Sequence, residues 1–281
     1  MSDKNPTNDD QARFWNEDGG RRWVEHIDQL ERMLNELNGT LLAALALKPG
    51  EKVLDVGCGG GRTTLACREA VGEAGSVLGV DVSAVILDVA RARGAGLGGL
   101  DFMTADAATH DFGKGGFDVI TSRFGVMFFP DPGAAFANLR SAAGDNARLC
   151  FLCWRSLPEN PWMGAPAAAA FTVIPAPEKP APGTPGPFAF ADTERVRGIL
   201  EGAGFGDVSF EAVDLTINLG TVDEALEWLT NMGPAATPLA EASPTDRIAA
   251  QAAMRELLSA HDSADGVSFP GAVWLVRARG A

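Results

Sequence analysis

Hydrophobic positions in the first part of the chain recur at the spacing of an amphipathic helix. Within residues 11–48 they lie three or four residues apart, which places them on one face of a helix. The positions are Trp23, Ile27, Leu30, Leu34 and Leu37. The pair Asn38-Gly39 predicts the end of this helix, and a second short helix is expected over residues 41–47.

Apolar strand-like segments alternate with helical segments in the middle of the chain. The alternation predicts an α/β fold, with a Rossmann-like, mostly parallel sheet and helices on both faces. The segments are nearly continuous apolar runs, as a sheet covered on both sides requires. The predicted strands cover residues 52–56, 76–80, 100–105, 117–121 and 147–154, and the helices between them cover 62–71, 84–93 and 133–143.

The pattern changes after Trp154. Residues 156–192 hold more than half of the seventeen prolines and show little periodicity, so they are interpreted as a long irregular insertion. Such insertions in compact domains are often lids or substrate walls. Beyond it we expect two further strands, which bring the sheet to seven, and more helices. The predicted helices cover 193–203 and, in two pieces, 222–262, and the predicted strands cover 207–219 and 272–279.

These segments suggest a division of the chain into lids and core. Each predicted unit is defined by where the strand and helix pattern changes. The units are an N-terminal helical lid (1–48), a core (49–155), a Pro-rich lid insertion (156–192), the end of the core sheet (193–219 and 267–281) and a helical cap (220–266).

The net charge, the length of the apolar runs and the composition exclude several classes of function. The 23 basic and 37 acidic residues give a formal charge of −14, which repels nucleic-acid phosphates and anionic lipid surfaces. No apolar run reaches the roughly 18 residues that span a bilayer, and the polar N-terminus has no secretory pattern. We therefore expect a cytoplasmic protein with no nucleic-acid partner. Tyrosine is absent and only three histidines occur, so a mechanism with a phenol donor is excluded.

The four cysteines are interpreted as buried thiols. Cys150 and Cys153 have the spacing of a CxxC pair, but they lie inside an apolar run that predicts a strand. Their side chains would then point to opposite faces, unlike those of a redox or zinc pair. No cluster of His, Cys and acidic residues has metal-ligand spacing, so no metal is expected.

The strongest chemical signal follows the first strand. There the chain carries an acid and three spaced glycines, in the order Asp55-x-Gly57-x-Gly59-x-Gly61, and then a helix begins. Glycines at such a turn let the backbone approach a nucleotide-type ligand with no Cβ in the way. The dinucleotide pattern G-x-G-x-x-G does not fit, because its sixth position is not glycine, and a Gly-Lys-Ser/Thr phosphate loop is absent.

Further strand ends carry polar residues. The second strand ends in Asp81, the third is followed by Asp106, and the fourth runs into residues 122–127. Together with the glycine run, these segments resemble class I S-adenosylmethionine (SAM)-dependent methyltransferases over residues 50–155, and more loosely beyond. The resemblance implies an EC 2.1.1-type enzyme that uses SAM and releases S-adenosylhomocysteine.

The resemblance assigns a role to several of these positions. Asp81 is expected to accept hydrogen bonds from the ribose hydroxyls, as acids at this place do in nucleotide folds. Asp106 is expected to contact the adenine amine, and Arg123 either to cap the fourth strand or to reach the SAM carboxylate. The implied cofactor-binding residues are Asp55, Gly57, Cys58, Gly59, Gly61, Asp81, Val82, Asp106, Ala107, Ser122, Arg123 and Phe124.

Aromatic residues suggest the acceptor side of the site. The N-terminal segment with Trp15 and Trp23 resembles small-molecule methyltransferases of the ubiquinone/menaquinone-biosynthesis type, in which a helical lid folds over SAM and the acceptor. This implies in-line displacement onto a small apolar or aromatic acceptor, with O, C, N or S all open as the methylated atom. The expected pocket residues are Trp15, Trp23, Met127, Trp154, Arg155, Trp162 and Trp228.

Two further expectations concern a catalytic base and the quaternary structure. His26 and His110 are the candidate bases, and a structural or surface role competes with catalysis for both. The cap helices allow a homodimer. Two other functions stay open: a SAM-fold enzyme that has turned to another reaction, such as cyclisation, and an NAD-dependent oxidoreductase.

Overall fold

The computed structural model describes residues 8–280, with side chains from residue 11 onward. Within this range helices and strands alternate through most of the chain. The strands are β1 (Lys52–Val56), β2 (Ser76–Asp81), β3 (Leu100–Thr104), β4 (Phe117–Arg123), β5 (Ala143–Trp154), β6 (Phe205–Asn218) and β7 (Ser268–Gly280). The helices are α1 (Asn8–Asn16), α2 (Asp18–Glu25), α3 (Ile27–Met33), α4 (Asn35–Leu45), α5 (Arg62–Val71), α6 (Ala84–Arg93), α7 (Pro132–Ala142), α8 (Pro161–Ala170), α9 (Thr193–Gly202), α10 (Val222–Met232), α11 (Ala236–Glu241) and α12 (Pro244–Ser259).

The seven strands form one sheet in the order β3-β2-β1-β4-β5-β7-β6. The first five in this order are parallel to their neighbours, and β7 runs antiparallel to both β5 and β6. In β1, Val53, Leu54 and Val56 are all buried, as expected for a strand covered on both faces. The predicted fold class, an α/β protein with a mostly parallel seven-stranded sheet, is confirmed.

The N-terminal helical segment is divided more finely than its periodicity predicts. Four helices, α1–α4, succeed one another with single-residue breaks. The prediction that Asn38-Gly39 ends a helix is wrong, because α4 runs through both residues. Asn38 is buried, and its Oδ1 accepts a hydrogen bond of 2.9 Å from Thr63 Oγ1 on α5. The polar side chain is thus satisfied by tertiary packing, which overrides its local preference for a helix end.

The segment 156–192 is less irregular than expected. It contains α8, a short 3-10 turn at Leu157–Glu159 and a proline-rich remainder. Pro161 occupies the first turn of α8, where a missing N–H costs little. Pro166 lies inside the helix, and burial of Trp162 and Met163 offsets the lost hydrogen bond. Similarly, residues 222–259 form three helices rather than the two predicted pieces.

The cysteines lie inside the protein. Cys58, Cys67, Cys150 and Cys153 are all buried free thiols, and burial raises the pKa of the Cys150 thiol to about 12. Across residues 8–280, no helix is long and apolar enough to cross a membrane. The same residues contain no group of three or more His, Cys, Asp or Glu placed to hold a metal ion. The division into lid, core and cap units stays a prediction.

A single buried amide joins the start of α8 to the sheet. Asn160 is fully buried, and its Oδ1 accepts hydrogen bonds from Ala272 N (2.9 Å) and from Trp162 Nε1 (3.2 Å). Its Nδ2 donates to the carbonyl oxygen of Ala272 at 3.0 Å. Asn160 therefore satisfies both backbone groups of a β7 residue and orients a tryptophan of α8.

We expect Asn160→Ala to lower the free energy of unfolding by about 3 kcal/mol, because it leaves two buried donors, Ala272 N and Trp162 Nε1, without their acceptor. Urea unfolding followed by circular dichroism measures this. The control is Asn146→Ala at an exposed position of β5, expected within about 0.5 kcal/mol of the wild type. Equal stability of the two variants would contradict the structural role of Asn160.

Candidate functional site

The loop between β1 and α5 is held in a conformation that needs glycine. Gly57, Gly59 and Gly61 have φ values of 65°, 54° and 81°, all in the left-handed region. A Cβ on Gly57 would lie 2.7 Å from the Cα of Gly125, in the loop that follows β4. The backbones of the two loops therefore touch at the carboxyl edge of the sheet, which leaves an open surface beside them.

Asp81 ends β2 and faces this loop. Its Oδ2 accepts a hydrogen bond from Gly59 N, and its Oδ1 accepts one from Ser83 N, each 2.9 Å long. Burial raises the pKa of Asp81, and these backbone bonds oppose the rise. Each carboxylate oxygen retains further acceptor capacity. The arrangement fixes the carboxylate between the glycine loop and the start of α6.

Asp55 is buried at the end of β1. Its Oδ2 accepts a hydrogen bond of 2.7 Å from Thr64 Oγ1, and its Oδ1 is a buried acceptor with no partner among the described residues. Desolvation raises the pKa of Asp55 to about 7, although Thr64 and the charge of Arg123 act in the opposite direction. A half-satisfied carboxylate of this kind is costly unless a ligand completes it.

Arg123 ends β4 and lies electrostatically close to Asp55. Its Nη1 atom is buried and has no hydrogen-bond partner in the described part of the chain. Desolvation lowers the pKa of the guanidinium, against the opposing charges of Asp55 and Glu31. The polar side of the site therefore holds an unsatisfied buried acceptor, Asp55 Oδ1, and an unsatisfied buried donor, Arg123 Nη1.

Phe124, the next residue, is strained. Its φ of 69° is uncommon for a residue with a side chain, and such strain often occurs at functional sites. Its backbone N–H donates to Leu152 O at 3.1 Å, which fixes the turn. Its ring stacks on Trp154, with centroids 4.4 Å apart and planes within 5°. The strained turn thus brings an aromatic face beside the charged pair.

Asp106 lies beyond β3. Its Oδ1 accepts a hydrogen bond of 2.9 Å from Ala108 N, and its Oδ2 accepts one of 3.3 Å from Thr109 Oγ1. The carboxylate is held by its own turn. Ala107 beside it is buried, and the carbonyl oxygen of Ala107 accepts from Asn138 Nδ2 at 3.0 Å.

The N-terminal helices are fastened over the ends of β2 and the glycine loop. Asn16 Nδ2 donates to Val82 O (2.8 Å), and Asn16 Oδ1 accepts from Ala84 N (2.9 Å). The hydroxyl of Ser83, which caps α6, donates to Trp15 O at 2.5 Å. A Cβ on Gly59 would lie 3.1 Å from the ring of Trp23, so that ring covers the glycine loop. The covering helices are thus bonded to the same turn that holds Asp81.

These features enclose a cavity of about 290 Å³ at the carboxyl edge of the sheet. One side of its wall is polar, formed by the ends of β1, β2 and β3 and by Arg123. The other side is aromatic and contains several methionines. Its rings lie in contact one after another, in the order Phe124, Trp154, Trp162 and Trp228. The Trp154 and Trp162 ring centroids are 5.2 Å apart, and those of Trp162 and Trp228 are 5.5 Å apart. A polar region and an apolar region therefore adjoin in one space, as in sites for small molecules.

Most residues predicted for the site line this cavity. Those that the structure brings together are Asp55, Gly57, Cys58, Gly59, Asp81, Val82, Asp106, Ala107, Arg123, Phe124, Trp15, Trp23, Met127, Trp154, Trp162 and Trp228. Whether they bind a ligand in the predicted roles stays a proposal.

Five predicted residues lie outside the lining. Gly61 sits behind the loop, where a Cβ would meet Ala90 and Phe102. Ser122 is buried, and its Oγ accepts from Gly125 N at 3.0 Å, so it shapes the loop from within. Arg155 turns away from the cavity and pairs with Glu159 and with Asp214, the latter at 2.7 Å. The remaining two are His26 and His110.

The two histidines have structural surroundings. His26 joins α2 to α3, where its backbone N–H closes the last turn of α2. His110 packs edge-on against Phe112, with centroids 4.7 Å apart, and its carbonyl oxygen accepts from Asn138 Nδ2 at 2.9 Å. Neither lines the cavity, so the structure does not support them as bases.

Several lining residues were not predicted. Leu30 and Leu34 belong to the amphipathic stripe and were assigned to its core face. Gln11, Met33, Met163, Pro187 and Met232 line the cavity as well, and isolated residues of these types carry no sequence signal. A cavity wall assembled from separate segments is visible only once the fold brings those segments together.

Comparison with known proteins identifies the segment that carries the glycine loop. Residues 53–144 match a family described as "Methyltransferase domain". We refer to residues 53–144 as the methyltransferase domain, after the family that they match. The predicted resemblance to methyltransferases is therefore confirmed over this segment, which runs from β1 to the start of β5.

Several relatives of the methyltransferase domain are named as methyltransferases of small molecules. The chain is 35% identical over 104 residues to aklanonic acid methyltransferase of Streptomyces sp. (strain C5), across 36% of this chain and 47% of that protein. It is 33% identical over 111 residues to nocamycin O-methyltransferase of Saccharothrix syringae, across 39% and 40%. It is 35% identical over 91 residues to demethylmenaquinone methyltransferase of Staphylococcus epidermidis, across 32% and 38%. The matches span less than half the length of these curated relatives.

Solved structures share the fold beyond the methyltransferase domain. One solved structure from Bacillus halodurans matches with a TM-score of 0.57 at 20% identity, over 86% of this chain and 98% of that one. Phosphoethanolamine N-methyltransferase 2 of Haemonchus contortus, in complex with SAM, matches at 0.58 and 17%, over 95% and 59%. The 4+2 cyclase SpnF matches at 0.56 and 18%, over 98% and 97%. At these identities the likeness concerns the fold alone.

The buried carboxyl of Asp55 predicts a particular pH dependence of stability. Between its ordinary value near 3.8 and its folded pKa of about 7, the folded state binds the extra proton. The free energy of unfolding should therefore fall as pH rises through this window and level off above it. Asp55→Asn cannot ionise and should lose this fall. Relative to the wild type, it should gain on the order of 2 kcal/mol between pH 5 and pH 8.

Urea unfolding at pH 5, 6, 7 and 8 measures this difference. Asp101→Asn, at an exposed position of β3, is the matched control and should keep the wild-type profile. Parallel profiles for the wild type and Asp55→Asn would show that Asp55 does not titrate in this range.

Proposed function

We propose that the protein is a SAM-dependent methyltransferase that transfers a methyl group to a small apolar or aromatic acceptor. The observation that carries the proposal is the pair of unsatisfied buried atoms, Asp55 Oδ1 and Arg123 Nη1, in a cavity whose polar side belongs to the segment that matches a methyltransferase domain. A zwitterionic amino acid group, such as that of SAM, would satisfy both.

The chain's own residues fit the remainder of this cofactor. Asp81 retains acceptor capacity for the two ribose hydroxyls, and its position is fixed by Gly59 N and Ser83 N. Asp106 and Ala107 would lie beside the adenine ring. Because the glycine loop has no Cβ atoms, the ligand can lie directly against its backbone. Arg123 would pair with the carboxylate of the cofactor.

When bound, SAM supplies an activated methyl group on a cationic sulfur. The chain contributes position and exclusion of water: the ring of Trp23 covers the glycine loop, and the ring of Trp15 packs edge-on against Phe128, with centroids 5.5 Å apart. Aromatic faces also suit a sulfonium cation. The cavity lining contains no His, Lys or Tyr among the described residues. Asp55, Asp81 and Asp106 also line the cavity, and the proposal assigns all three to the cofactor. On that assignment the acceptor is nucleophilic as it binds, and the protein aligns its reacting atom for in-line displacement.

The acceptor class follows from the aromatic side of the cavity. Stacked and tilted rings from Phe124 to Trp228, together with methionines, form a wall for an apolar or aromatic molecule. The relatives, which include aklanonic acid and demethylmenaquinone methyltransferases, agree with a small organic acceptor. We further propose that no nucleic acid is involved, given the net charge of −14, and that the protein is cytoplasmic, given four buried free thiols. A homodimer through the cap helices stays a prediction.

Cyclisation by a SAM-fold enzyme is the second candidate, since the 4+2 cyclase SpnF shares the fold over nearly the whole chain. The two reactions differ in one observable. Methyl transfer converts the cofactor to S-adenosylhomocysteine, whereas cyclisation leaves it intact. The relatives of the methyltransferase domain favour methyl transfer.

We expect Asp81→Asn to weaken S-adenosylhomocysteine binding at least about tenfold, because one carboxylate oxygen and its charge are lost at the ribose. Isothermal titration calorimetry measures the affinity of the full chain, and the exposed Asp101→Asn serves as control with wild-type affinity. Unchanged binding by Asp81→Asn would overturn its assignment to the cofactor.

A second ligand separates the two ends of the cofactor. 5′-Methylthioadenosine shares the adenosine of S-adenosylhomocysteine but lacks the amino acid group. Arg123→Met should weaken S-adenosylhomocysteine roughly tenfold to a hundredfold and leave 5′-methylthioadenosine nearly unchanged, because Arg123 meets only the carboxylate. Asp81→Asn should weaken both ligands. Equal losses for both ligands with Arg123→Met would refute the placement of the amino acid group.

A further inference from the structure

One buried donor on the aromatic side of the cavity has no partner. Trp228 of α10 is 5% exposed and lines the cavity, and its indole Nε1 makes no hydrogen bond among the described residues. The ring beside it differs in this respect, because Trp162 Nε1 donates to Asn160 Oδ1 at 3.2 Å. A buried tryptophan N–H usually finds an acceptor, and leaving it without one costs free energy.

The rings around Trp228 form a continuous wall. Phe124 stacks on Trp154, Trp154 packs on Trp162 at a centroid distance of 5.2 Å, and Trp162 packs on Trp228 at 5.5 Å with planes inclined by 36°. The wall begins at the residue that follows Arg123, so it starts beside the proposed amino acid end of the cofactor. It ends at the unsatisfied N–H.

We propose that Trp228 is a specificity-determining residue whose indole N–H donates a hydrogen bond to an oxygen atom on a flat aromatic acceptor bound along this wall. This inference rests on the proposed function, because it assumes that the apolar side of the cavity receives the acceptor. The class it names is a planar ring system that carries a carbonyl or phenolic oxygen. Flat rings match the wall, and the oxygen supplies the one polar contact that the wall lacks.

The rest of the apolar wall explains why a single donor is enough. Met127 Sδ is already close to Trp154 N, at 3.4 Å, and Met163 and Met232 offer only weak acceptors. None of these three methionines offers a donor to a ring oxygen. The position of Trp228 therefore selects where on the ring the oxygen lies relative to the cofactor.

A pair of matched compounds tests the hydrogen bond. 9-Fluorenone and fluorene have nearly the same flat shape, and only fluorenone carries a carbonyl oxygen. Their affinities for the full chain are measured by equilibrium dialysis, with and without saturating S-adenosylhomocysteine, for the wild type, Trp228→Phe and Trp274→Phe. The readout is the ratio of the two affinities, which cancels the general hydrophobicity of the compounds.

We expect Trp228→Phe to shift the ratio about tenfold against fluorenone, with fluorene affinity nearly unchanged, because only the N–H donor is lost. Trp274→Phe is the control, since Trp274 is not among the residues that line the cavity and its N–H already bonds to Ala191 O, and it should keep the wild-type ratio. Near-ultraviolet circular dichroism verifies that each variant is folded. If the ratio is the same in the wild type and Trp228→Phe, or if neither compound binds the wild type, the inference is overturned.

The role of Trp228 and the proposed function can be tested independently of each other. Calorimetry with S-adenosylhomocysteine on the same samples decides whether the cofactor site exists. A protein that binds S-adenosylhomocysteine but shows no Trp228-dependent ratio keeps the proposed function and refutes this inference. A protein that shows the ratio without binding S-adenosylhomocysteine supports the role of Trp228 and refutes the proposed function.

Discussion

Close contact between two glycine backbones, Gly57 and Gly125, is the constraint on which the site depends. A Cβ on Gly125 would lie 2.7 Å from Val56 O and 2.8 Å from the Cα of Gly57, so neither loop tolerates a side chain there. The contact joins the turn after β1 to the turn after β4, two strands that are neighbours in the sheet. This contact thereby positions the strained Phe124, the charged Arg123 and the glycine loop around the same cavity. Without it the carboxyl ends of the strands would still be adjacent, but the wall between the polar and aromatic sides would open.

The polar side of the site is less stable in the free protein than it would be with a ligand bound. Asp55 and Arg123 are both desolvated, their charges attract one another, and each retains a buried atom with no partner. Buried charges that lack full hydrogen bonding are unfavourable even when an opposite charge is close. On the proposed function, this unfavourable energy is relieved when the amino acid group of the cofactor binds. The free protein is thus the less satisfied state, and binding affinity arises in part from that difference.

The sequence predicts the parts of the fold and site that repeat a local rule. Apolar runs locate the strands, and polar or glycine residues at their ends locate Asp55, Gly57, Asp81 and Asp106, because parallel strands end at the same edge. Where tertiary packing decides, the prediction fails. Helix α4 continues through Asn38-Gly39 because Thr63 satisfies Asn38, and α8 forms around Pro166 because its other face is buried. Two more residues show that local patterns do not predict tertiary contacts. Arg155 was expected in the pocket but its side chain pairs with Asp214. Pro187 lines the cavity although it lies far along the chain from the glycine loop.

The distribution of the tryptophans gives the protein an intrinsic optical reporter. The chain has six tryptophans and no tyrosine, and five of the six line the cavity: Trp15, Trp23, Trp154, Trp162 and Trp228. Trp274 is the exception, and its Nε1 donates to Ala191 O at 3.0 Å. Ultraviolet emission from the folded protein therefore arises from indole alone, and most of its emitters surround the space that a ligand would fill. Occupancy of the site should alter their polarity and ring contacts directly, so fluorescence follows binding in this protein without any attached label.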